Sequence, residues 1–355
     1  MRKLIEYLLH MDNFPRKTIL LVSPDPRKIE GLELAWPHFK IFVSKMSPSL
    51  RKAERRGAEI VNLKLPKIKK TSDLLAEMVG RNLVKKGSRV LVFKNLAKIE
   101  KLAAKRKFEI LMPESKFLIL LEDKINFVQF CHEFALPILP TKVRELNLVR
   151  FTEPVVIQTR RGHAGESTYF VRSPRELENL KRKMGDFTVK VTPLKKLPTF
   201  SLDFCVTRNG IYSTQPFFQI TGDPRLNPLP GGTGGIDFDL AAQLSVATKE
   251  RIGALVEMVG AALKKIGYRG IAGIDFLVDD VNSRIYLLEL NPRLLSNLGF
   301  VTQRQVEAGE LPLATIHLLE FLGEDFNKFK AERLSQVNSG RFENPHPDAK
   351  MAIEI

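Results

Sequence analysis

The chain has 355 residues, of which 44% are hydrophobic, and its formal net charge is +16. This length allows two or three domains with a sizeable core, and no apolar run approaches the roughly 18 residues of a transmembrane helix. The two cysteines, Cys131 and Cys205, are too few for a disulfide framework and fit buried thiols in a reducing cytoplasm. Residues 1–14 contain acidic residues and lack a small-residue cleavage site, so we expect no secretory signal and a cytoplasmic protein.

The positive charge is concentrated near the N-terminus. Residues 1–120 hold 27 Lys and Arg against 12 Asp and Glu, whereas the rest of the chain is nearly balanced. A basic face of this kind can meet an acidic carrier protein, an anionic substrate or nucleic acid. Because the chain has no aromatic-interleaved basic stripe and no known nucleic-acid motif, we interpret most of this charge as solvated surface, with weak and non-specific nucleic-acid contact at most.

Strand-like and helix-like segments alternate through the first third of the chain. The pattern predicts strands at 17–23, 39–43, 58–63 and 88–93, and helices at 71–84 and through Ile99. Such alternation indicates a parallel α/β sheet. The turn after the first strand lacks Gly-x-Gly-x-x-Gly, so we assign no dinucleotide site to it.

From residue 121 onwards the pattern changes to mixed helices and antiparallel-type strands. Ser173 is a predicted N-cap, with Pro174 in the first helical position and Glu176 completing a capping box. The remaining predicted elements are helices at 121–134 and 240–266, strands at 154–158, 169–171, 187–191 and 200–206, and a glycine-rich mobile loop at 228–235.

Two short apolar strands near the C-terminal end carry carboxylate and amide oxygens. Asp275 lies in the first strand, and Glu289 and Asn291 lie in the second. Side chains alternate faces along a strand, so all three oxygens share a face if the strands pair as a hairpin. Oxygen donors of this kind hold Mg²⁺ and leave sites for substrate phosphates. An exposed hairpin with ordinary surface charges is the alternative, but an unpaired Glu289 inside an apolar run would be costly. We therefore favour a metal site.

A second hairpin, with the polar loop 159–168, is suited to cover phosphate groups. Gly162 and Gly165 permit close backbone approach, and Ser167 or Thr168 can donate hydrogen bonds to phosphate oxygens alongside backbone N–H groups. Many surface hairpins contain two glycines. The loop becomes a specific signal only in combination with the carboxylate–amide hairpin that follows it.

The order of these features resembles the ATP-grasp superfamily. A lysine at a helix start (Lys124), a strand with a flexible loop, a strand pair and Glu-x-Asn-Pro-Arg at 289–293 follow one another over roughly residues 120–325. The resemblance implies an α+β ATP-grasp fold behind an α/β, pre-ATP-grasp-like domain, as in carboxylate–amine ligases and the biotin carboxylase-like branch. It divides the chain into a basic N-terminal domain, a small lid subdomain, a C-terminal subdomain with the metal site, and a tail, at 1–120, 121–195, 196–330 and 331–355.

The resemblance also implies roles for individual residues. Asp275, Glu289 and Asn291 match the Mg²⁺ ligands, with Mn²⁺ as the alternative cation. Arg293 matches the arginine that stabilises charge near the reacting carbonyl, and Lys124 looks like the first nucleotide-binding lysine. The other implied nucleotide contacts are Gln158, Arg161, Gly162, Gly165, Ser167, Thr168, Lys190 and Val191.

Some positions depart from the family pattern. Gln158 stands where a lysine usually contacts the α-phosphate, so either Arg160 or Arg161 substitutes for it or the nucleotide binds weakly. Lys190 lies near the segment that normally binds adenine through main-chain groups, where a glutamate is common. Ordinary structural roles remain open for Lys124 as a solvated helix residue, for Gln158 as a backbone partner, for His163 as a loop residue, and for the loop 231–235 as a plain connection.

The expected function is an ATP-dependent ligase that forms an acyl phosphate from a carboxylate and joins it to an amine or similar nucleophile, releasing ADP and phosphate. A kinase of the same fold is one alternative. A non-catalytic nucleotide-binding protein with a regulatory or carrier-docking role is the other. The expected partners are ATP, a divalent cation and small carboxylate and amine substrates, with no membrane. An acidic carrier and a homodimer are left open.

Overall fold

A computed structural model describes residues 15–162 and 167–324, together with the backbone of 341–343. Three β-sheets and the helices packed on them make up this part of the chain. The first sheet is parallel and the other two are antiparallel. The expected order, an α/β domain followed by α+β sheets, is therefore confirmed.

The first sheet has five strands, which are Ile19–Ser23 (β1), Phe39–Val43 (β2), Glu59–Asn62 (β3), Arg89–Val92 (β4) and Glu109–Ile110 (β5). Their order is β3-β2-β1-β4-β5, and the helices between them are Pro48–Arg55 (α1), Thr71–Gly80 (α2) and Ala97–Arg106 (α3). β1 is buried along its whole length, as is typical of a parallel sheet covered on both faces. Trp36 lies in this core, and its indole N–H donates to the carbonyl of Lys17 at 2.8 Å.

Two short helices, Lys116–Leu121 (α4) and Lys124–Glu133 (α5), lead out of this domain. The sequence pattern predicted one helix over 121–134, and the structure breaks it at Asp123. The Asp123 carboxylate accepts hydrogen bonds from the backbone N–H groups of Ile125 and Asn126, so it caps α5. Because of this cap, Lys124 is the first residue of a helix, as predicted.

The second sheet is small. Its strands are Lys142–Glu145 (β6), Val155–Thr159 (β7), Thr168–Val171 (β8) and Thr188–Pro193 (β9), in the order β6-β9-β7-β8. The helix Pro174–Met184 (α6) packs on it through Leu177 and Leu180. Ser173 caps α6 as predicted, because its hydroxyl accepts a hydrogen bond from the backbone N–H of Glu176.

The third sheet contains the strands Thr199–Val206 (β10), Ile211–Ser213 (β11), Phe217–Thr221 (β12), Thr233–Asp237 (β13), Gly270–Asp279 (β14), Arg284–Asn291 (β15) and Arg341–Glu343 (β16). The order is β15-β14-β10-β12-β13-β16, with β11 paired to β10. Its helices are Phe238–Ala242 (α7), Val246–Lys265 (α8), Leu298–Ala308 (α9) and Leu313–Leu322 (α10).

Two predictions in this region need correction. The helix predicted over 240–266 is two helices, because Ser245 caps α8 by accepting a hydrogen bond from the N–H of Thr248. The glycine-rich segment 228–235 is also not all loop. Its last residues, from Thr233, pair with β12 as the strand β13.

The first and third sheets are joined by close packing. Gly31 and Gly299, the latter in α9, approach so closely that a methyl group added at Gly299 would lie 1.7 Å from the carbonyl oxygen of Glu30. The hydroxyl of Thr315 in α10 donates to the carbonyl of Ala35 at 2.7 Å. Apolar side chains of α10 share one core cluster with β1 and β4. The C-terminal helices therefore fix the position of the N-terminal sheet.

No helix in residues 15–162 or 167–324 is long and apolar enough to cross a membrane. Cys131 and Cys205 are both buried and unbridged, in agreement with the expectation from the sequence. Burial raises the pKa of the Cys131 thiol to about 12, so it is not a reactive nucleophile.

Candidate active site

Asp275 and Glu289 lie opposite each other on the paired strands β14 and β15. Burial and the neighbouring Glu289 charge raise the pKa of Asp275 well above its ordinary value. Burial acts in the same direction on Glu289, but the charge and hydrogen bond of Lys124 outweigh it and lower the pKa of Glu289. The Lys124 ammonium thus favours the ionised form of Glu289, whereas burial and the charge of Glu289 favour the protonated form of Asp275.

Lys124 is the cation of this pair of carboxyl groups. Its ammonium Nζ lies 2.7 Å from Oε2 of Glu289, and the residue is only 6% exposed. Its backbone N–H donates to the carbonyl of Arg160 at 3.0 Å, which ties the start of α5 to the end of β7. Lys124 is thus not the solvated helix residue that the sequence left open.

A network of hydrogen bonds from three neighbouring strands fixes the orientation of the Asp275 side chain. Ser201 on β10 and Gln219 on β12 both donate to Oδ1 of Asp275, the latter at 2.7 Å. Thr233 on β13 in turn donates to Oε1 of Gln219 at 3.1 Å. The sequence reasoning did not identify these three residues. For Ser201 a signal existed, because it alternates with apolar residues in the run Phe-Ser-Leu-Asp-Phe.

Arg293 connects Asn291, one of the expected metal ligands, to residues near the N-terminal domain. Its Nη2 donates to Oδ1 of Asn291 at 2.9 Å, and its Nε donates to Oε1 of Glu122 at 2.7 Å. Lys94 forms an ion pair with the other oxygen of Glu122. The guanidinium lies 5.4 Å from the centre of the Phe93 ring. Glu122, Lys94 and Phe93 were also not identified from the sequence, since they contact Arg293 only in the folded chain.

The donor set of this centre suits a divalent cation. Two carboxylates on facing strands and an amide on the same strand as Glu289 are oxygen ligands of the kind that Mg²⁺ prefers. Asn291 is close to Glu289, since its Nδ2 donates to Oε1 at 3.3 Å. Asp275 and Glu289 face each other on paired strands, so one divalent cation between them would neutralise both charges. The residues present therefore fit a metal.

A cavity of about 350 Å³ lies between the second and third sheets, and we call it the inter-sheet cavity. Apolar side chains, among them Phe170, Leu277 and Leu288, form part of its wall. Its polar lining brings together most of the expected nucleotide-contacting residues with the two carboxylates, namely Lys124, Gln158, Gly162, Ser167, Thr168, Asp275 and Glu289.

The arginines near Gln158 are placed differently from one another. The Nε of Arg160 donates to Asp123 at 2.9 Å and its Nη2 donates to Asn126, so this side chain is engaged outside the inter-sheet cavity. Arg161 lines a neighbouring cavity of about 350 Å³ that also contains Lys124 and Glu289. Gln158 itself donates to the hydroxyl of Thr168 at 3.1 Å. Arg161, unlike Arg160, thus lines a cavity together with Lys124 and Glu289.

Besides Arg161, two further expected nucleotide contacts do not line the inter-sheet cavity. Val191 packs into the core of the small sheet, and the ammonium of Lys190 donates to the carbonyl of Leu288 at 3.0 Å. Burial, together with the charge of Lys124, lowers the pKa of Lys190 to about 8. The residues that line the cavity from this part of the chain are 192–195, at the end of β9 and directly after it. Gly165 and His163 lie outside the described residues.

A second cavity, of about 560 Å³, lies between the N-terminal sheet and the third sheet, and we call it the interdomain cavity. It shares Gln219, Thr233, Asp275 and Glu289 with the inter-sheet cavity. Further polar residues line it from both sides, namely Ser23, Lys28, Lys69, Lys70, Lys94, Asp203, Arg293 and Asn297. The two cavities therefore meet at the carboxylate pair, where groups bound in one could react with groups bound in the other.

Known structures share this architecture. N5-carboxyaminoimidazole synthetase from Staphylococcus aureus, complexed with ADP, has a TM-score of 0.63 at 12% identity, over 95% of each chain. L-amino acid ligase from Bacillus licheniformis has a TM-score of 0.62 at 14% identity, over 89% of this chain and 77% of the ligase. Pyruvate carboxylase from Rhizobium etli has a TM-score of 0.64 at 14% identity, and the chain spans only 30% of it. At these identities the likeness shows the fold alone.

The sequence comparisons match a shorter part of the chain than the structural ones. No curated protein sequence matches the chain significantly. Residues 236–297 match the family model of the ATP-grasp domain. This segment contains the paired strands β14 and β15 with Asp275, Glu289, Asn291 and Arg293. The matched segment and the shared architecture together identify the chain as a protein of the ATP-grasp fold.

Proposed function

We propose that this protein is an ATP-dependent ligase that joins a carboxylate to an amine or a similar nucleophile. The observation that carries this proposal is the meeting of two cavities at Asp275 and Glu289, with Arg293 beside them. Among the similar structures, one is by name a synthetase complexed with ADP and another is an amino acid ligase. A C–N ligase is the activity that these names and this geometry jointly support.

ATP would occupy the inter-sheet cavity, with its base against the apolar wall and its phosphates towards Lys124. Asp275, Glu289 and Asn291 would hold Mg²⁺, which neutralises phosphate charge and orients the transferred group when bound. Lys124 would then exchange part of its contact with Glu289 for a phosphate oxygen. Gly162, Ser167 and Thr168 line the same cavity, where backbone and hydroxyl donors suit phosphate oxygens.

The carboxylate substrate would bind in the interdomain cavity next to Arg293. Its oxygen attacks the γ-phosphorus of ATP, the bond from that phosphorus to the bridging oxygen of ADP breaks, and an acyl phosphate forms. The amine nitrogen then attacks the acyl carbon, phosphate leaves with the C–O bond electrons, and the amine loses a proton. Arg293, held by Glu122 and Asn291, is positioned to stabilise charge on the acyl oxygen during both steps.

The test is ATP-dependent phosphate release with a panel of carboxylates, in the presence and absence of hydroxylamine. An acyl phosphate reacts with hydroxylamine to give a hydroxamate, so hydroxamate together with ADP and nucleophile-dependent phosphate release is expected. Phosphorylation of a hydroxyl group, or of a carboxylate without nucleophile-dependent phosphate release, would instead establish the kinase alternative. Nucleotide binding without ADP formation from any substrate would establish the non-catalytic alternative.

A further inference from the structure

Asp203 is a buried acidic residue that the proposed chemistry does not use. It lies in the middle of β10, is 1% exposed and lines the interdomain cavity. Its Oδ2 accepts a hydrogen bond from Nδ2 of Asn297 at 2.8 Å. Within residues 15–162 and 167–324, no lysine, arginine or histidine lies within ion-pair distance of its carboxylate. A buried carboxylate without a cationic partner is costly unless a ligand supplies one.

The strand register explains why Asp203 faces the cavity. Ser201 and Asp203 are two residues apart on β10, so their side chains point to the same face. Ser201 donates to Asp275 at the carboxylate pair, which places Asp203 next to that centre. The residue opposite Asp203 on β14 is Gly273, which contributes no side chain above the carboxylate.

The opposite side of the same cavity is cationic. Four lysines and one aspartate line it from the N-terminal domain, namely Lys28, Lys69, Lys70, Lys94 and Asp25, and Arg293 lines it from the loop after β15. Lys94 and Arg293 are both bonded to Glu122, so their charge is partly neutralised. Lys28 lies 4.8 Å above the Phe93 ring with its side chain exposed. The cavity therefore has a buried acidic group on one wall and an excess of cations on the other.

We propose that the interdomain cavity binds a zwitterionic substrate, an amino-bearing carboxylate of the amino acid class, with its ammonium group on Asp203 and its carboxylate towards Arg293 and Lys28. This inference rests on the proposed ligase function and specifies the substrate class of that site. Asp203 is then the residue that selects for an amino group. Asn297 is a positioning residue, since it holds one carboxylate oxygen and leaves the other for the ligand.

The protonation of Asp203 supports this assignment. Burial raises its pKa to about 7, although the hydrogen bond from Asn297 and the charge of Arg293 oppose the shift. Its other neighbours, Gly273 on β14 and Thr214 after β11, carry no charge. Without ligand, Asp203 is thus about half protonated near pH 7. An ammonium group bound there keeps it ionised, so binding must release a fraction of a proton.

The experiment is titration calorimetry of the full chain loaded with Mg²⁺ and a non-hydrolysable ATP analogue. The probes are the L-amino acids, each compared with its N-acetyl derivative and with the matching carboxylic acid that lacks the amino group. We expect at least one amino acid to bind 10-fold or more tightly than both counterparts. In buffers of different ionisation enthalpy, its binding at pH 7 should release up to about half a proton.

Asp203→Asn keeps the shape of the side chain and removes its charge. It should weaken amino acid binding at least 10-fold, abolish the proton release, and leave binding of the ATP analogue and of the amino-free acids unchanged. Asp279→Asn, at the last residue of β14, is the control and should change neither the binding of any of these ligands nor the proton release. The comparison of the three ligand types uses only the unaltered protein. It therefore tests for an ammonium-binding site even if Asp203→Asn fails to fold.

The outcomes separate this inference from the ligase proposal. If amino-free acids bind as tightly as amino acids, or if Asp203→Asn weakens both equally, Asp203 serves only to hold Asn297 and the inference is wrong, whether or not phosphate release shows a ligase. If amino acids bind with proton release but no carboxylate yields ADP, the ammonium subsite stands and the ligase proposal fails.

Discussion

Lys124 and Glu289 lie 165 residues apart in the sequence, and their side chains meet with a distance of 2.7 Å between Nζ and Oε2. The contact joins the first residue of α5 to β15, the strand that carries Glu289 and Asn291. Both residues line the inter-sheet cavity. A ligand with several phosphate groups would enter between them, because it offers an anion to Lys124 and, with a bound cation, a positive charge to Glu289.

The Lys124–Glu289 pair should be energetically coupled. Lys124→Met leaves Glu289 without its cation, and Glu289→Gln leaves a nearly buried ammonium without its anion. We expect each single variant to lower the free energy of unfolding by about 1–3 kcal/mol. The double variant should lose clearly less than the two effects added together. Urea denaturation of the four proteins measures the coupling, and strictly additive losses would show that the contact contributes nothing.

Glu289→Gln should also remove activity. The amide is similar in shape, but it carries no charge to hold a divalent cation opposite the phosphates. ADP formation should fall by roughly 100-fold or more. Asp279→Asn changes a carboxylate in the same hairpin, at the exposed end distant from the cavity, and should retain full activity. Equal rates for Glu289→Gln and the unaltered protein would rule out Glu289 as a metal ligand.

Position 158 should control nucleotide affinity. The side chain of Gln158 lines the inter-sheet cavity, and a lysine there would add a charge-assisted hydrogen bond to phosphate, worth about 1.5–3 kcal/mol. Gln158→Lys should therefore tighten ATP binding by one to two orders of magnitude, whereas the uncharged Gln158→Met should not. Arg161→Ala should weaken binding more than Arg160→Ala, because Arg160 is already paired with Asp123. Calorimetric dissociation constants for ATP decide this, and identical values for all variants would show that position 158 does not face the phosphates.

His317 should make the fold sensitive to acid. Its Nδ1 accepts a hydrogen bond from the N–H of Ile271 and its Nε2 contacts the carbonyl of Leu111, so the neutral ring is required. Burial lowers the pKa of His317 from 6.5 to about 4. Above pH 6.5 its contribution to stability is fully present, and it is lost as the pH falls towards 4, because only the unfolded chain takes up the proton. The loss amounts to about 3 kcal/mol.

The measurement is the free energy of unfolding between pH 4 and pH 7 for the unaltered protein and for His317→Gln. The variant is less stable at pH 7, but its stability should fall less steeply with acid. Parallel curves would mean that His317 has an ordinary pKa in the folded state.

Gly299 should tolerate no side chain. A methyl group there meets the backbone carbonyl of Glu30, which cannot rotate away, so Gly299→Ala should cost about 1–3 kcal/mol. Gly253 is the matched control, since it also lies in a helix, α8, and has open space around its Cα. Gly253→Ala should be neutral or gain up to about 1 kcal/mol. Thermal unfolding of both variants tests this, and a Gly299→Ala protein as stable as the parent would contradict the close contact.

The sequence predicted strands and helices well where hydrophobic patterning alone determines the structure. The strand β1 is a largely apolar run, and β2 is apolar apart from Lys40. The β14–β15 hairpin brings Asp275 and Glu289 together as their alternation predicted. Helix boundaries were less accurate, since the apolar spacing continues through Asp123 and Ser245 while their side chains cap new helices. At these two positions the hydrogen bonds of the capping side chain, rather than the apolar periodicity, determine where the helix begins.

The polar surroundings of the carboxylates were harder to foresee. Gln219 and Asn297 reach Asp275 and Asp203 only because distant strands and a loop are neighbours in the third sheet. Nothing in their local sequence marks them. The adenine-binding segment expected at 188–191 stays a prediction: the side chain of Val191 lies in the core of the small sheet, and residues 192–195 line the cavity.

The backbone contact between Gly31 and Gly299 has a consequence for substrate size. It holds the segment before β2 against α9, and the residues directly before α9, 295–297, line the side of the interdomain cavity that faces the N-terminal domain. The gap between this side and the N-terminal domain is thus fixed by main-chain atoms and cannot widen for a bulkier molecule, unlike a gap bordered by mobile side chains. Two glycines that touch no ligand would then limit the size of the largest acceptor that the protein can bind.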